Sequence, residues 1–274
     1  MKHSVLARLR CPVCHSRLAL TENEKSCLCQ GARIHCFDFS KSGYLNLAGP
    51  HGGDGDLKEA INARRLFLNS GYYQPLADAI CQKIDFLGVA SVLDAGCGEG
   101  YYTNRLSEKL DVLGVDLSRN GIDAAAKTAK AQKNGAGFVI ASLFSLPVED
   151  ASLDLVLNIF APCAEEEFLR VLKPDGYVLL IGAGERHLFG LKNAIYDNPY
   201  LNAGRNDLPQ NMCLISKERL HYTVTVVGQE HISALFSMTP YYWRTSESDR
   251  EKLLGLNELT TELDFDIFLF RKDV

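Results

Sequence analysis

The chain has 274 residues, 46% of them apolar and 23% charged, with a net charge of −5. These are ordinary globular proportions, and they exclude disordered, collagen-like and low-complexity classes. The length fits one large domain or one domain with a small module, and no run reaches the ~18 consecutive apolar residues of a membrane helix.

Residues 1–41 read as a small module. Lys2, Arg8 and Arg10 flank no apolar core, so no signal peptide is expected. The segment holds seven Lys/Arg and three acids, for a charge of +4, while the remainder sums to −9. Five of the nine cysteines (Cys11, Cys14, Cys27, Cys29 and Cys36) fall within 26 residues, 11–36. An odd total without an export signal points to a reducing, cytoplasmic setting, where clustered cysteines usually bind metal. Cys11-Pro-Val-Cys14 places two thiolates on one side of a loop, as a tetrahedral ion needs. The second pair of ligands comes from Cys27, Cys29, His35 and Cys36. Thiolates with at most one imidazole select zinc, and a closed four-ligand site has a folding role rather than a catalytic one. A redox CxxC would follow a strand inside a βαβ unit, and this one does not.

Residues 42–90 read as a linker and a helical segment. Gly43, Gly49, Pro50, Gly52, Gly53 and Gly55 give loop composition. From Asp56 to Leu87 the apolar spacing is helical, with Leu57, Ile61, Leu66 and Phe67 before Pro75 and Leu76, Ile80 and Ile84 after it. Residues 91–274 then alternate. Ser91–Ala95, Val112–Asp116, Gly137–Ala141, Leu153–Ile159 and Tyr177–Ile181 read as strands, with helices over Tyr101–Leu110, Asn120–Lys133 and Glu165–Val171. That alternation predicts βαβ units and a parallel sheet covered on both faces. Two late runs, His221–Val227 and Asp264–Phe270, are expected to pair antiparallel at the end of the sheet.

The chemical motif of this part is Asp94-Ala95-Gly96-Cys97-Gly98-Glu99-Gly100, between the first strand and a helix. Its spacing is G-x-G-x-G rather than the G-x-G-x-x-G of dinucleotide sites, and its two carboxylates suit a cationic, phosphate-free ligand. About twenty residues on, Asp116 ends the next strand, where a carboxylate can accept both hydroxyls of a ribose. Loop and acid together resemble class I S-adenosylmethionine (SAM) methyltransferases. At the following strand end, Asn158, Phe160 and Pro162 are placed to face cofactor or acceptor, and Gly182 to His187 occupy the equivalent place one strand later. Cys163 has no readable partners for a nucleophilic role.

The whole chain resembles the RlmA family of 23S ribosomal RNA (guanine-N1-)-methyltransferases. The likeness rests on Cys11-Pro-Val-Cys14, Phe37-Asp38, Gly43-Tyr44-Leu45-Asn46-Leu47, Ala63-Arg64-Arg65 and Gly71-Tyr72-Tyr73-Gln74-Pro75-Leu76. It continues through the glycine loop to Ala161-Pro162, Arg186-His187-Leu188 and Met238-Thr239-Pro240 with Trp243. The resemblance implies an α/β, Rossmann-like, doubly wound class I SAM-methyltransferase sheet with a small N-terminal zinc-binding module. It implies zinc on Cys11, Cys14, Cys29 and His35, with Cys27 and Cys36 as alternatives because the spacing between the last two ligands is longer than usual. It assigns SAM contacts to Tyr73, Gly98, Glu99, Gly100, Tyr101 and His187, to which the general class adds Asp94, Gly96 and Asp116. The implied substrate is a guanine N1 in a 23S rRNA hairpin, and the implied assembly a homodimer without membrane association. Arg8, Arg10, Arg17, Arg33 and Lys41 form the expected phosphate-binding surface, and of the adjacent Arg64 and Arg65 one is expected to face RNA. A small-molecule SAM methyltransferase and a non-catalytic zinc and RNA-binding protein are the competing readings.

Overall fold

The computed structural model describes residues 1–49 and 57–273. Pro50, Gly52, Gly53, Gly55 and Asp56 of the expected linker therefore lie outside the described residues. Among the described residues, the head contains a short helix α1 (His3–Leu6) and three short strands, β1 (Leu18–Leu20), β2 (Ser26–Cys29) and β3 (Cys36–Asp38). The strands form an antiparallel sheet in the order β1-β2-β3. A two-residue strand, β4 (Leu45–Asn46), follows, and then come helices α2 (Lys58–Asn69) and α3 (Gln74–Leu87). The helical pattern breaks at Ser70–Tyr73, just ahead of Pro75, which sits in the first turn of α3, where its missing N–H costs no hydrogen bond.

The remaining elements are β5 (Ser91–Ala95), α4 (Tyr101–Leu106), β6 (Asp111–Asp116), α5 (Arg119–Gln132), β7 (Gly137–Ile140), β8 (Leu153–Ile159), α6 (Glu165–Val171), β9 (Leu172–Ala183), α7 (Phe189–Ile195), β10 (Cys213–Val227), α8 (Gln229–Ser237), α9 (Glu247–Glu251) and β11 (Glu258–Arg271). The large sheet has the order β10-β11-β9-β8-β5-β6-β7-β4. Pairing is parallel from β9 through to β4 and antiparallel where β11 enters. The chain leaves β5 toward β6 and β7, then returns to place β8 on the other side of β5. That reversal is the topological switch point, where open α/β sheets bind ligands beyond the strands' carboxyl ends. The late strands pair as expected, with His221 opposite Asp264, but both are longer than their apolar runs.

Continuous apolar runs make the central strands. Every residue of β5 is buried, as a strand covered on both faces requires. The head does not stand apart from this core. Leu9, Cys11, Leu18, Cys27 and Cys29 are buried in one cluster with Leu113, Val139, Val156 and Phe168 of the sheet and α6. Charge adds to the contact: Arg8 Nη1 lies 3.2 Å from Asp111 Oδ2, and Arg10 Nη1 lies 2.9 Å from Asp150 Oδ1. The basic head is thus held on the acidic body by two of the arginines expected to face RNA.

Candidate active site and metal centre

The metal centre is built by two loops. Cys11 and Cys14 lie on the turn before β1, Cys29 ends β2, and His35 precedes β3. One ligand atom from each of the four lies within 4.8 Å of the others. Cys14 Sγ and Cys29 Sγ are 3.6 Å apart, and His35 Nδ1 is 3.6 Å from Cys11 Sγ and 3.3 Å from Cys29 Sγ. Two sulfurs each ~2.3 Å from a tetrahedral zinc would be about 3.8 Å apart, so the donor set fits that ion in size and type. Backbone N–H groups of Val13 and His35 donate to Cys11 Sγ and Cys29 Sγ (3.4 and 3.0 Å), which stabilises thiolates. The two alternatives lie elsewhere. Cys27 is buried in the core beneath β2, its thiol pushed by burial up to about 11, and Cys36 is exposed beside Asp38.

The second site lies at the carboxyl end of β5. Gly96 has φ +83° and Gly98 φ +51°, the left-handed region that glycine adopts without a Cβ penalty. A Cβ on Gly96 would collide with Ala161, and one on Gly98 would come within 3.4 Å of Arg64 Nη1. The turn is therefore pressed between the β8 loop and α2. Asp116, at the end of β6, accepts the Gly98 N–H on Oδ2 (2.9 Å) and the Ser118 N–H on Oδ1 (2.7 Å). This fixes the carboxylate against the turn.

Asp94 and Glu99 are 2% and 6% exposed. Burial, with Asp116 and Glu99 nearby, pushes the Asp94 carboxyl up to about 7, although Thr103 Oγ1 donates to its Oδ2 at 2.5 Å. Burial also raises Glu99, opposed by Arg64, whose Nη1 is 3.5 Å from Glu99 Oε2. Three crowded carboxylates repel one another, and a bound cation would relieve that repulsion. The turn fits the sulfonium and ammonium charges and ribose hydroxyls of SAM better than a pyrophosphate. Arg64 thus faces this loop rather than a polyanion. Arg65 lines, with Arg105, Glu108 and Tyr101, a cavity of ≈370 Å³ that also touches Glu99 and Gly100.

Tyr73 and His187 meet in a buried pair, Tyr73 Oη to His187 Nε2 at 3.2 Å. The Asp264 N–H donates to His187 Nδ1 (3.2 Å), so the ring proton sits on Nε2 and points at the tyrosine. Burial depresses the His187 pKa to about 4, which keeps the ring neutral near pH 7. Phe265 packs on both rings, and Phe160 lies 5.6 Å from His187 between ring centres. The expected cofactor residues thus fall into two groups: Asp94, Gly96, Gly98, Glu99, Gly100, Tyr101 and Asp116 on the turn and the helix it opens, and Tyr73 with His187 behind Phe160. The loop Phe160–Ala161 touches both.

Beyond that loop, at the ends of β8 and β9, is a cavity of ≈470 Å³ lined by Phe160, Pro162, Gly182, Arg205 and Asp207 among others. Phe160 takes φ +54°, rare for an aromatic residue, and is 47% exposed. Asn158, expected to face a ligand, is instead fully buried. Its amide donates to Pro162 O (3.1 Å) and accepts from Arg205 Nη2 (3.0 Å), so it braces the loop. Burial pushes the Cys163 thiol up to about 11, consistent with no nucleophilic role. Arg205 and Asp207 lie in an irregular stretch without periodicity, which is why sequence reasoning missed them.

Comparison with known proteins agrees with this geometry. Residues 9–49 match the zinc ribbon described as "RlmA, N-terminal", and residues 92–176 match a methyltransferase domain. YxjB of Bacillus subtilis (strain 168), provisionally named a 23S rRNA (guanine-N(1)-)-methyltransferase, is 32% identical over 99% of this chain and 100% of its own. The 23S rRNA (guanine(748)-N(1))-methyltransferase of Streptomyces fradiae is 25% identical over 97% of this chain and 98% of its own. By contrast, demethylmenaquinone methyltransferase of Oceanobacillus iheyensis is similar over only 39% of this chain and 50% of its own. Among solved structures, a chain from work on thioacetal formation in echinomycin biosynthesis superposes with a TM-score of 0.50 at 18% identity, covering 70% of this chain and 80% of that one, a likeness of fold alone. The full-length kinship and the shared zinc ribbon show that the chain belongs to the RlmA family of 23S rRNA (guanine-N(1)-)-methyltransferases.

Proposed function

We propose that the protein transfers a methyl group from S-adenosylmethionine to N1 of an unpaired guanine in a hairpin of 23S rRNA. The observation that carries the reading is the crowded acidic turn of Asp94, Glu99 and Asp116, a seat for a cationic donor, placed directly against the loop bearing Phe160. When bound, SAM supplies an electrophilic methyl group on a sulfonium sulfur. Asp116 retains acceptor capacity for ribose hydroxyls, and Asp94 and Glu99 present negative charge to the cationic part. Tyr73, Tyr101 and His187 complete the proposed cofactor wall. Guanine N1 lies on the Watson–Crick edge, so the base must be unpaired or flipped to react. The exposed ring of Phe160 offers a face on which it can stack.

In this reading Cys11, Cys14, Cys29 and His35 hold structural zinc, and the head over residues 1–41 carries the RNA-binding surface. Arg17, Arg33 and Lys41 are exposed there, whereas Arg8 and Arg10 brace the head on the body. Arg64 lies against the turn and Tyr73 pairs with His187, and residues 91–274 perform the transfer. None of the nine cysteines is joined in a disulfide, which is in keeping with a cytoplasmic setting. We also infer a homodimer, which sedimentation of the purified protein tests. No helix among the described residues is long and apolar enough to cross a membrane.

The test offers methyl-labelled SAM with either unmodified 23S rRNA or a metabolite pool. Label in the RNA supports the proposal. Label only in small molecules supports a metabolite methyltransferase, and no label without SAM binding supports a silent RNA-binding protein.

A further inference from the structure

We propose that Asp207, held by Arg205, is the group that takes the proton from guanine N1 during methyl transfer. This rests on the guanine-N1 reading above and names the catalytic group that it leaves open.

Neutral guanine carries a proton on N1, and that proton must leave as the methyl group arrives. The acceptor must therefore reach the base and keep a lone pair for it. Five titratable groups near the two sites fail this requirement. Asp94 is buried behind the turn and bonded to Thr103, and Glu99 is buried facing Arg64. Asp116, fixed by the Gly98 and Ser118 N–H groups, has its remaining acceptor capacity committed to the ribose hydroxyls in the proposed cofactor site. His187 has both ring nitrogens engaged, one by the Asp264 N–H and one by Tyr73. Asp264 is fully buried and clasped by Arg219, at 2.6 Å to each oxygen.

Asp207 meets the requirement. Its side chain is 43% exposed and lines the ≈470 Å³ cavity with Phe160, a volume within the range of small-ligand sites. Its position is fixed. Arg205 donates Nε to Oδ1 (2.6 Å) and Nη2 to Oδ2 (3.0 Å), and the Cys163 N–H donates to Oδ2 (2.9 Å). Arg205 is in turn fixed by Asn158 Oδ1, Ala161 O and Ile181 O at the ends of β8 and β9. One network therefore ties the carboxylate to the loop that carries Phe160 and presses on Gly96. A carboxylate has about four acceptor sites. Of the Arg205 and Cys163 bonds, Oδ1 accepts one and Oδ2 two, so Oδ1 is the less engaged oxygen.

In the transfer the N1 lone pair forms the N1–C bond while the C–S bond breaks, with its electrons passing to sulfur. The N1–H proton moves to Asp207 Oδ1, and water later removes it. Burial raises the Asp207 carboxyl, but the Arg205 bonds and charge and the Cys163 N–H outweigh it and hold it below the usual value. It is therefore ionised near pH 7. Such a weak base suffices because the N1 proton becomes strongly acidic as the methyl bond forms.

The experiment uses the full chain and a 23S transcript that the wild type methylates at guanine N1; failure of the wild type there refutes the parent reading instead. SAM affinity is measured by calorimetry and single-turnover rates are measured from pH 6 to 9. Asp207→Asn is expected to bind SAM within about twofold of wild type. Its rate should fall about 10²-fold near pH 7 and then climb about tenfold per pH unit as guanine N1 ionises unaided. Asp207→Glu, which keeps a carboxylate, should recover part of the rate and the flatter profile. An Asp207→Asn rate within threefold of wild type, or a loss by the same factor at every pH, overturns the proposal. Loss of SAM binding in both variants makes Asp207 a structural residue and overturns it as well.

Discussion

Replacing Asp94 by Asn should stabilise the ligand-free protein at alkaline pH while weakening SAM binding. Asp94 is fully enclosed, and its carboxyl sits near 7 rather than the ordinary 3.8. The folded state therefore holds its proton where the unfolded chain has released it. Below the ordinary value both states are protonated and the group costs nothing. Between that value and about 7, stability falls by about 1.4 kcal/mol per pH unit, and the cost then levels off near 4 kcal/mol. Asn keeps an acceptor for Thr103 and carries no charge. Urea unfolding of both proteins at pH 5.5 and pH 8, without SAM, reads the effect, and the shared head cancels in the difference. The Asn variant should gain about 2 kcal/mol on wild type between these two conditions. A gap that does not change with pH would show that Asp94 ionises freely and that the acidic turn is under no electrostatic strain.

The same geometry makes SAM binding release protons near neutral pH, since the incoming cation lowers the Asp94 pKa; calorimetry in buffers of different ionisation enthalpy should show release at pH 7, and affinity should weaken as pH falls below about 7. Asp116→Ala should abolish SAM binding while leaving bound zinc unchanged, and concurrent zinc loss would contradict two separate sites. Cys14→Ser should lose zinc and expose the head to protease, with SAM binding retained. Replacing Arg17, Arg33 and Lys41 by Gln should weaken RNA binding and reduce the salt slope by about 2–3. Arg8→Ala and Arg10→Ala should instead lower thermal stability, because they remove braces between head and body.

The central strands were legible because burial on both faces demands continuous apolar runs, and Ser91–Ala95 is such a run. The zinc cluster was only half legible. The Cys11–Cys14 pair follows from spacing, but the choice of Cys29 and His35 over Cys27 and Cys36 depends on which side of β2 and β3 each side chain takes. The head's strands are three or four residues long and carry no period, so they left no pattern. The role of its charge was misjudged for a related reason: composition counts Arg8 and Arg10 as free cations, and only the fold brings Asp111 and Asp150 to meet them. Asn158 stands at the strand end where ligand residues gather, yet Arg205, 47 positions later, turns it into a brace. Contacts of that separation leave no local trace.

Reverse transcription of 23S rRNA treated with the protein and SAM, with mass analysis of the nucleosides released from the same sample, tests the central claim most directly. The account predicts one new stop, at an unpaired guanine of a hairpin, and 1-methylguanosine as the new nucleoside. Methyl groups on another guanine atom, or scattered over many positions without a stop, would contradict it.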